Sequence, residues 1–366
     1  MKMMLMAVMF CFSSTGALAQ TVESSLGSLQ VTQLAKGLDE PWAVAILPDG
    51  RFLVTERKGR LWLFDGQGGK TRVSGVPKVY AKGQGGLLDV VLARDFDQSG
   101  ELFLTYAKSQ SGGAGTALAV ARFDAQAAKL TNLRKVFEMK SGNRGGRHFG
   151  SRVVEAEDGT LFVTVGERGN RPSAQDLSMH NGSVIRVARS GGVPKSNPFS
   201  GTGGALPEIW SYGHRNAQGA ALDASGQLWV VEHGAKGGDE VNRVKKGANY
   251  GWPVISYGEH YSGGKIGEGT AKAGMEQPAF YWDPSIAPSG MMIYSGQMFP
   301  EWKGDIFVGS LKFDHIARLD RSGARLSAGE QLQSRETGRV RDIRQAPDGS
   351  IWFLSVDRGG LFRISR

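Results

Sequence analysis

The 366-residue chain contains one cysteine, Cys11, so no intrachain disulfide can form and core burial, with any bound metal, must supply stability. It has no long basic run and no nucleic-acid-binding motif. Its net charge of +9 comes from dispersed lysines and arginines, which points away from nucleic acid and leaves either an anionic small ligand or plain solubility. Aliphatic heptads at helical spacing are missing, which argues against a helical bundle and for an all-β chain. The apolar run Met3–Phe12 is too short to cross a bilayer as a helix.

That run, with Lys2 before it and the small-residue site Ala17-Leu18-Ala19 after it, has the anatomy of a secretory signal peptide. Cleavage is expected after Ala19, removing Cys11 with the leader. Met9-Phe10 in place of small residues argues against lipid attachment at Cys11. The expected product is an exported soluble protein, periplasmic or secreted, with residues 20–366 forming one domain.

Glycine is abundant, at 53 residues, without a collagen-like period, which suits many short strands joined by tight turns. A glycine, any residue and three apolar residues recur at Gly50, Gly100, Gly159, Gly226, Gly304 and Gly349. Asp or Ser precedes five of these glycines, a turn feeding a strand. Apolar triplets suit strands covered on both faces, as inner strands of radially packed sheets are. Six units spread along the chain predict a six-bladed β-propeller, with a strand near Leu29–Leu34 completing the last blade. The competing reading is a β-sandwich with coincidental Asp-Gly turns.

A propeller gathers loops from every blade around one mouth, so polar residues beside the triplets are candidates to converge. Gln84 lies in a glycine-rich turn. His148 is flanked by Gly145, Gly146 and Gly150, which allow close approach to a ligand, and neutral imidazole is a usual general base. Arg215 and Asn216 can clamp a carboxylate or carbonyl, or cap a turn. Asp239 and Glu240, among glycines, suggest calcium; two solvated acids are the alternative. Lys312 follows an apolar triplet. Arg339 and Arg341 alternate onto one side of a strand, where they repel unless an anion or carboxylate lies between them, or unless they sit on a solvated edge. Trp282 and Tyr261 can stack on a planar ring or simply pack.

Taken together, GQGGLLDVVL, RHFGSRV, VGERGNRPSAQDL, PEIWSYGHRNAQG, EHGAKGGDEVNRVKKGANYGWP, PAFYWDPSIAPSGM, GSLK and GRVRDIRQAPDG resemble the soluble quinoprotein glucose and sorbosone dehydrogenases, on the aldose sugar dehydrogenase side. The resemblance spans nearly all of the chain beyond the leader and implies a six-bladed propeller that uses pyrroloquinoline quinone (PQQ) and calcium. It implies that His148 is the general base and that Gln84 lines the cofactor and sugar pocket. Arg215, Asn216, Lys312, Arg339 and Arg341 become cofactor contacts, with Trp282 and Tyr261 as aromatic neighbours. The backbone carbonyls of Gly234 and Ala235 are expected to hold calcium beside PQQ, and Glu240 and Tyr250 a further, structural calcium. Two departures stand out: Arg147 replaces an acidic residue before the histidine of glucose-oxidising relatives, and Ala235 replaces a proline.

The function implied is oxidation of an aldose at its anomeric carbon to the lactone, for an unidentified electron acceptor, by a monomer or homodimer. Two other propeller functions stay open, a calcium-dependent lactonase and a non-catalytic sugar-binding scaffold, because a fold alone does not set chemistry.

Overall fold

The computed structural model describes residues 20–366; the expected leader lies outside them. These residues form six antiparallel sheets arranged as the blades of a β-propeller, five of four strands and one of five. Regular helix is confined to the single turn Phe96–Ser99 and two short 3₁₀ segments.

Each blade runs outward from an innermost strand beside the axis: Pro41–Ile46, Leu87–Leu92, Val153–Glu155, Ala217–Leu222, Pro288–Ile293 and Val340–Gln345. Neighbouring innermost strands pack side by side, and the sixth returns to the first. The Gly-led apolar triplets form the second strand of each blade, not the innermost. Phe52–Glu56, Leu228–Glu232, Ile306–Ser310 and Ile351–Ser355 are buried along their whole length. A second strand is covered on both faces by adjacent blades, so every position favours an apolar side chain. Innermost strands border the polar axis and carry Asp89, Gln218, Ser289 and Asp342, which breaks their hydrophobic pattern.

The ring is closed by the strand expected near Leu29–Leu34. Gly27–Ala35 pairs with Gly360–Ser365 at the other end of the chain, matching Val31 to Ile364. Gln20–Ser24 then adds a fifth strand outside it.

An ionic cluster crosses the axis. Arg152, buried beneath the Trp42 ring, has Nη1 3.1 Å from Asp89 Oδ1 and 2.9 Å from Asp342 Oδ1. Arg344 reaches the same carboxylates at 2.7 and 3.0 Å. Asp89 also accepts from the Val153 amide and Asp342 from the Val44 amide, so these charges tie four blades together. Desolvation offsets much of the gain from such buried pairs, but removing one partner would leave an uncompensated charge at the axis.

Candidate active site

At one end of the axis is a cavity of about 350 Å³, lined by residues from the loops and innermost strands of several blades. Among the residues expected from the sequence, Gln84, Asn216, Arg339 and Arg341 line it. Trp42, Glu40, Arg57, Gln218 and His233 line it too, and sequence reasoning gave them no role.

The cavity is short of negative charge. Arg341 is half-buried, and its one side-chain partner is the neutral Gln218 Oε1 at 3.1 Å. Burial, then the charges of Arg152, Arg339 and Arg57, push its guanidinium down to about 9. Such a shift marks a cation lacking counter-charge. Arg339 donates to the Leu311 carbonyl at 2.8 Å and lies 3.7 Å from Asp357. Arg57 is already paired with Glu40. His233, half-buried, is held down to about 3 by desolvation and by Arg215, Arg341 and His148, so its ring is neutral. Its Nε2 has no partner among the described residues. An acidic ligand with polar ring atoms fits these unmet groups.

His148 sits at the edge of this cavity. Its backbone amide donates to Gln84 Oε1 at 2.7 Å, and the next two residues, Phe149 and Gly150, line the cavity. The Gly150 amide donates to Asn216 Oδ1 at 3.1 Å, so Gln84, His148 and Asn216 are joined through backbone. The His148 ring is largely buried and its Nδ1 is hydrogen-bonded to Glu167 Oε1. Burial holds the imidazole below the usual histidine range, against the opposing pull of Glu167. The ring is therefore neutral near pH 7, and a proton on Nδ1 directed at Glu167 leaves Nε2 as the basic atom.

The local backbone explains how the ring is held. His148 adopts φ 56° and Arg168 φ 62°, a left-handed conformation uncommon for such residues and concentrated at functional sites. Gly166 passes so close that a Cβ there would stand 2.1 Å from the His148 carbonyl oxygen. Arg168 lies over the Phe149 ring and donates to the carbonyls of Arg147 and Ala114, locking the histidine loop from behind. Glu167 belongs to the stretch VGERGN that contributed to the family resemblance, and only the fold shows its carboxylate meeting the histidine.

Arg215 lies behind the cavity, over the Trp252 ring, with Nη1 3.3 Å from the His233 carbonyl. It lines a much smaller cavity of about 10 Å³, together with Glu232, Gly234, Glu240 and Tyr250. A space of that size admits one water or one ion. Glu232 and Glu240 are held together by Asn242 Nδ2, which donates to both at 3.0 and 3.1 Å. Burial and the charge of Glu232 push Glu240 up to about 8, whereas Glu232 is met by His214 Nδ1 at 2.7 Å and the Arg215 amide at 2.6 Å, so Glu240 is the acid left without a positive partner. The Tyr250 hydroxyl is committed to the Arg243 carbonyl and the Lys245 amide, which leaves its carbonyl as the atom available to a cation.

The turn at Gly234-Ala235 is pinned by Asp239, which accepts from the Gly234 amide at 2.8 Å and from Ser285 and Ala287 on the next blade. Among the described residues the Gly234 and Ala235 carbonyls accept no hydrogen bond. Such carbonyls suit a hard cation with a ligand supplying further oxygens. No cluster of three acidic, histidine or cysteine side chains fit for a metal occurs among the described residues.

Three expected residues stand apart from the central cavity. Trp282 ends the fourth strand of its blade, Phe280–Trp282, the strand farthest from the axis, and lines a separate cleft. Lys312 is exposed with Nζ 4.7 Å from the Phe313 ring centroid. Tyr261 is 71% exposed on a long loop.

Comparison with known proteins matches this arrangement. The model of the Glucose / Sorbosone dehydrogenase family matches residues 38–363. Aldose sugar dehydrogenase YliI of Escherichia coli (strain K12) is 42% identical over 355 residues, covering 95% of this chain and 96% of that protein. Quinoprotein glucose dehydrogenase B of Acinetobacter calcoaceticus is 27% identical, covering 89% and 85%. The crystal structure of the E. coli soluble aldose sugar dehydrogenase in the apo-form superposes with a TM-score of 0.88 over 92% of this chain and 99% of that one, at 42% identity. A PQQ-bound aldose sugar dehydrogenase from Streptomyces coelicolor superposes at 0.76 over 92% and 98%, at 27% identity. Family model, sequence and fold agree over the same span as the cavity-forming blades, and the chain belongs to the glucose/sorbosone dehydrogenase family.

Proposed function

We propose that this protein is a PQQ- and calcium-dependent aldose sugar dehydrogenase that oxidises the anomeric carbon of a sugar to the lactone. The observation that carries the reading is a cavity holding Arg341, a cation without counter-charge, bordered by the loop that presents the neutral, oriented imidazole of His148. The relatives named for aldose oxidation and the PQQ-bound relative support it.

Arg339 and Arg341 would hold the carboxylates of PQQ, and Asn216 and Gln84 its polar edge. Arg215 would act from behind the cavity. The Gly234 and Ala235 carbonyls would hold calcium beside it. PQQ, when bound, supplies the hydride acceptor and calcium polarises the accepting carbonyl. His148 Nε2 takes the proton of the anomeric hydroxyl while Glu167 keeps the other nitrogen protonated and balances the charge gained. Gln84, bonded to the His148 amide, fixes where that base stands at the rim. A base so placed contributes about 10²–10⁴-fold.

Glu240, with the Tyr250 carbonyl, would hold a second calcium of structural role, and the leader at residues 1–19 would export the protein. The lactonase alternative is disfavoured by the arginine-rich lining, in which the one carboxylate, Glu40, is already paired with Arg57. The test is to add PQQ and calcium to the purified protein with a panel of aldoses and an artificial electron dye. Dye reduction that requires PQQ supports the reading. Lactone hydrolysis indifferent to PQQ would replace it.

A further inference from the structure

A second cleft, of about 430 Å³, shares a wall with the central cavity. Ala287 and Leu311 line the central cavity, while Ile286 and Phe313 line the cleft. Ile286 and Ala287 are consecutive, so one segment of backbone borders both spaces. Lys312, exposed, lies between Leu311 and Phe313 on the crest.

The lining of the cleft has a definite chemistry. Trp282 stands on one side, and Phe313, 41% exposed, is one of four large apolar side chains left open to solvent among the described residues. Gln331 and Gln333 on the outer edge of the fifth blade, with Asp283, supply amides and a carboxylate. Gln333 Nε2 donates to the Phe313 carbonyl at 3.2 Å, leaving its amide oxygen uncommitted. His315, 2% exposed, forms part of the wall. Its Nδ1 lies 3.3 Å from the Phe313 carbonyl and its Nε2 has no partner among the described residues. A buried imidazole nitrogen left unmet beside an aromatic recess suits a hydroxyl or a water that relays one.

Flat apolar faces bordered by amides and one carboxylate suit the C–H faces and hydroxyls of a neutral pyranose ring. No cationic side chain lines the cleft, which argues against an anionic ligand and sets it apart from the arginine-rich cavity behind the wall. Its volume falls in the ordinary range for small-molecule sites, about 300–1,000 Å³.

We infer that this cleft is a carbohydrate subsite that holds a neutral pyranose unit of an oligosaccharide whose reducing end reaches over the Lys312 crest into the central cavity. The inference rests on the proposed aldose oxidation, since that reaction places a reducing end in the cavity.

Two measurements test it. The first is binding of maltotriose, cellotriose and glucose to the protein without added PQQ, followed by saturation-transfer NMR and calorimetry. The second is kcat and KM for the same sugars with PQQ and calcium. Phe313→Ala, and separately Gln331→Ala, should raise KM for at least one trisaccharide about fivefold, the worth of one aromatic contact. The KM for glucose and kcat for all three sugars should stay unchanged. Trisaccharide binding should weaken in parallel. Equal effects on glucose and trisaccharide, or no effect on either trisaccharide, would overturn the subsite. If glucose itself is not oxidised, the proposed reaction fails instead, and the binding experiment still decides the cleft: trisaccharide binding that Phe313→Ala weakens upholds it, and binding that ignores the substitution removes it.

Discussion

His148 Nδ1 is hydrogen-bonded to Glu167, a nearly fully buried carboxylate nineteen residues downstream that reaches it from the next blade. The pair sets both the tautomer and the direction of the imidazole. His148→Gln should lower kcat by about 10²–10⁴-fold, the usual worth of a positioned base, while PQQ binding, read from absorbance, persists. Glu167→Gln should lower kcat about 10²-fold with a smaller change in KM, because the amide can present the wrong hydrogen-bonding group to Nδ1. Unchanged kcat in both variants would remove the pair from the reaction.

The same pair sets a pH dependence. Burial keeps His148 below the usual histidine range, so the basic imidazole is present above its lowered pKa and is lost as pH falls through it. The acid limb of kcat/KM should therefore fall below about 6.5, the unperturbed value. Glu167 raises the His148 pKa, so Glu167→Gln should move that limb to still lower pH. A limb above 6.5, or one that moves upward in the variant, contradicts this electrostatic account.

Arg341 carries the prediction for the cofactor. It is a half-buried cation repelled by Arg152, Arg339 and Arg57, with one neutral side-chain acceptor. Arg341→Met removes that repulsion, so the protein without PQQ should melt no lower than wild type. It should bind PQQ about 10–10² times more weakly, since a charge-assisted hydrogen bond is worth about 1.5–3 kcal/mol. Calorimetric melting with and without PQQ separates the two effects. A large loss of stability with unchanged PQQ affinity would make Arg341 a structural residue.

Much of this architecture was legible in the sequence, and the exceptions have physical causes. Gly50, Gly100 and their four counterparts marked the blades because a second strand, covered on both faces, keeps an unbroken apolar triplet. The innermost strands were hidden by Asp89, Gln218 and Asp342, which face a polar axis. Gln84, Asn216, Arg339 and Arg341 meet as their loops suggested. Glu167 was invisible as a partner because an acid after Gly166 reads as a solvated turn until the next blade brings it to the histidine. Trp282 was expected at the cavity, yet distance from the axis is set by strand order, which puts it in the fourth strand of its blade.

Gly166 shows how narrowly the histidine loop is held. A Cβ there would lie 2.1 Å from the His148 carbonyl oxygen and 2.5 Å from its carbon, and both are backbone atoms with nowhere to retreat. Gly166→Ala should cost about 1–3 kcal/mol of stability and lower kcat at least as much as Glu167→Gln. A variant that melts and turns over like wild type would show that the loop tolerates displacement.

The calcium proposed for the smaller cavity leads to a different measurement. Glu232 and Glu240 share the Asn242 amide in a space of about 10 Å³, two buried acids with room for one small guest. A cation bound there favours the folded state by about 2.7 kcal/mol when present at one hundred times its dissociation constant. Dialysis against a chelator should therefore lower the melting temperature of the wild type by several degrees, and added calcium should restore it. In Glu240→Gln one anionic ligand is gone and the two acids no longer repel. This variant should lose most of the calcium response while its melting temperature in chelator equals or exceeds that of the chelated wild type. If chelation leaves the wild type unmoved, or if the variant keeps the full calcium response, Glu240 is not a calcium ligand, and the Asn242 amide, with His214 and the Arg215 amide on Glu232, must hold the pair.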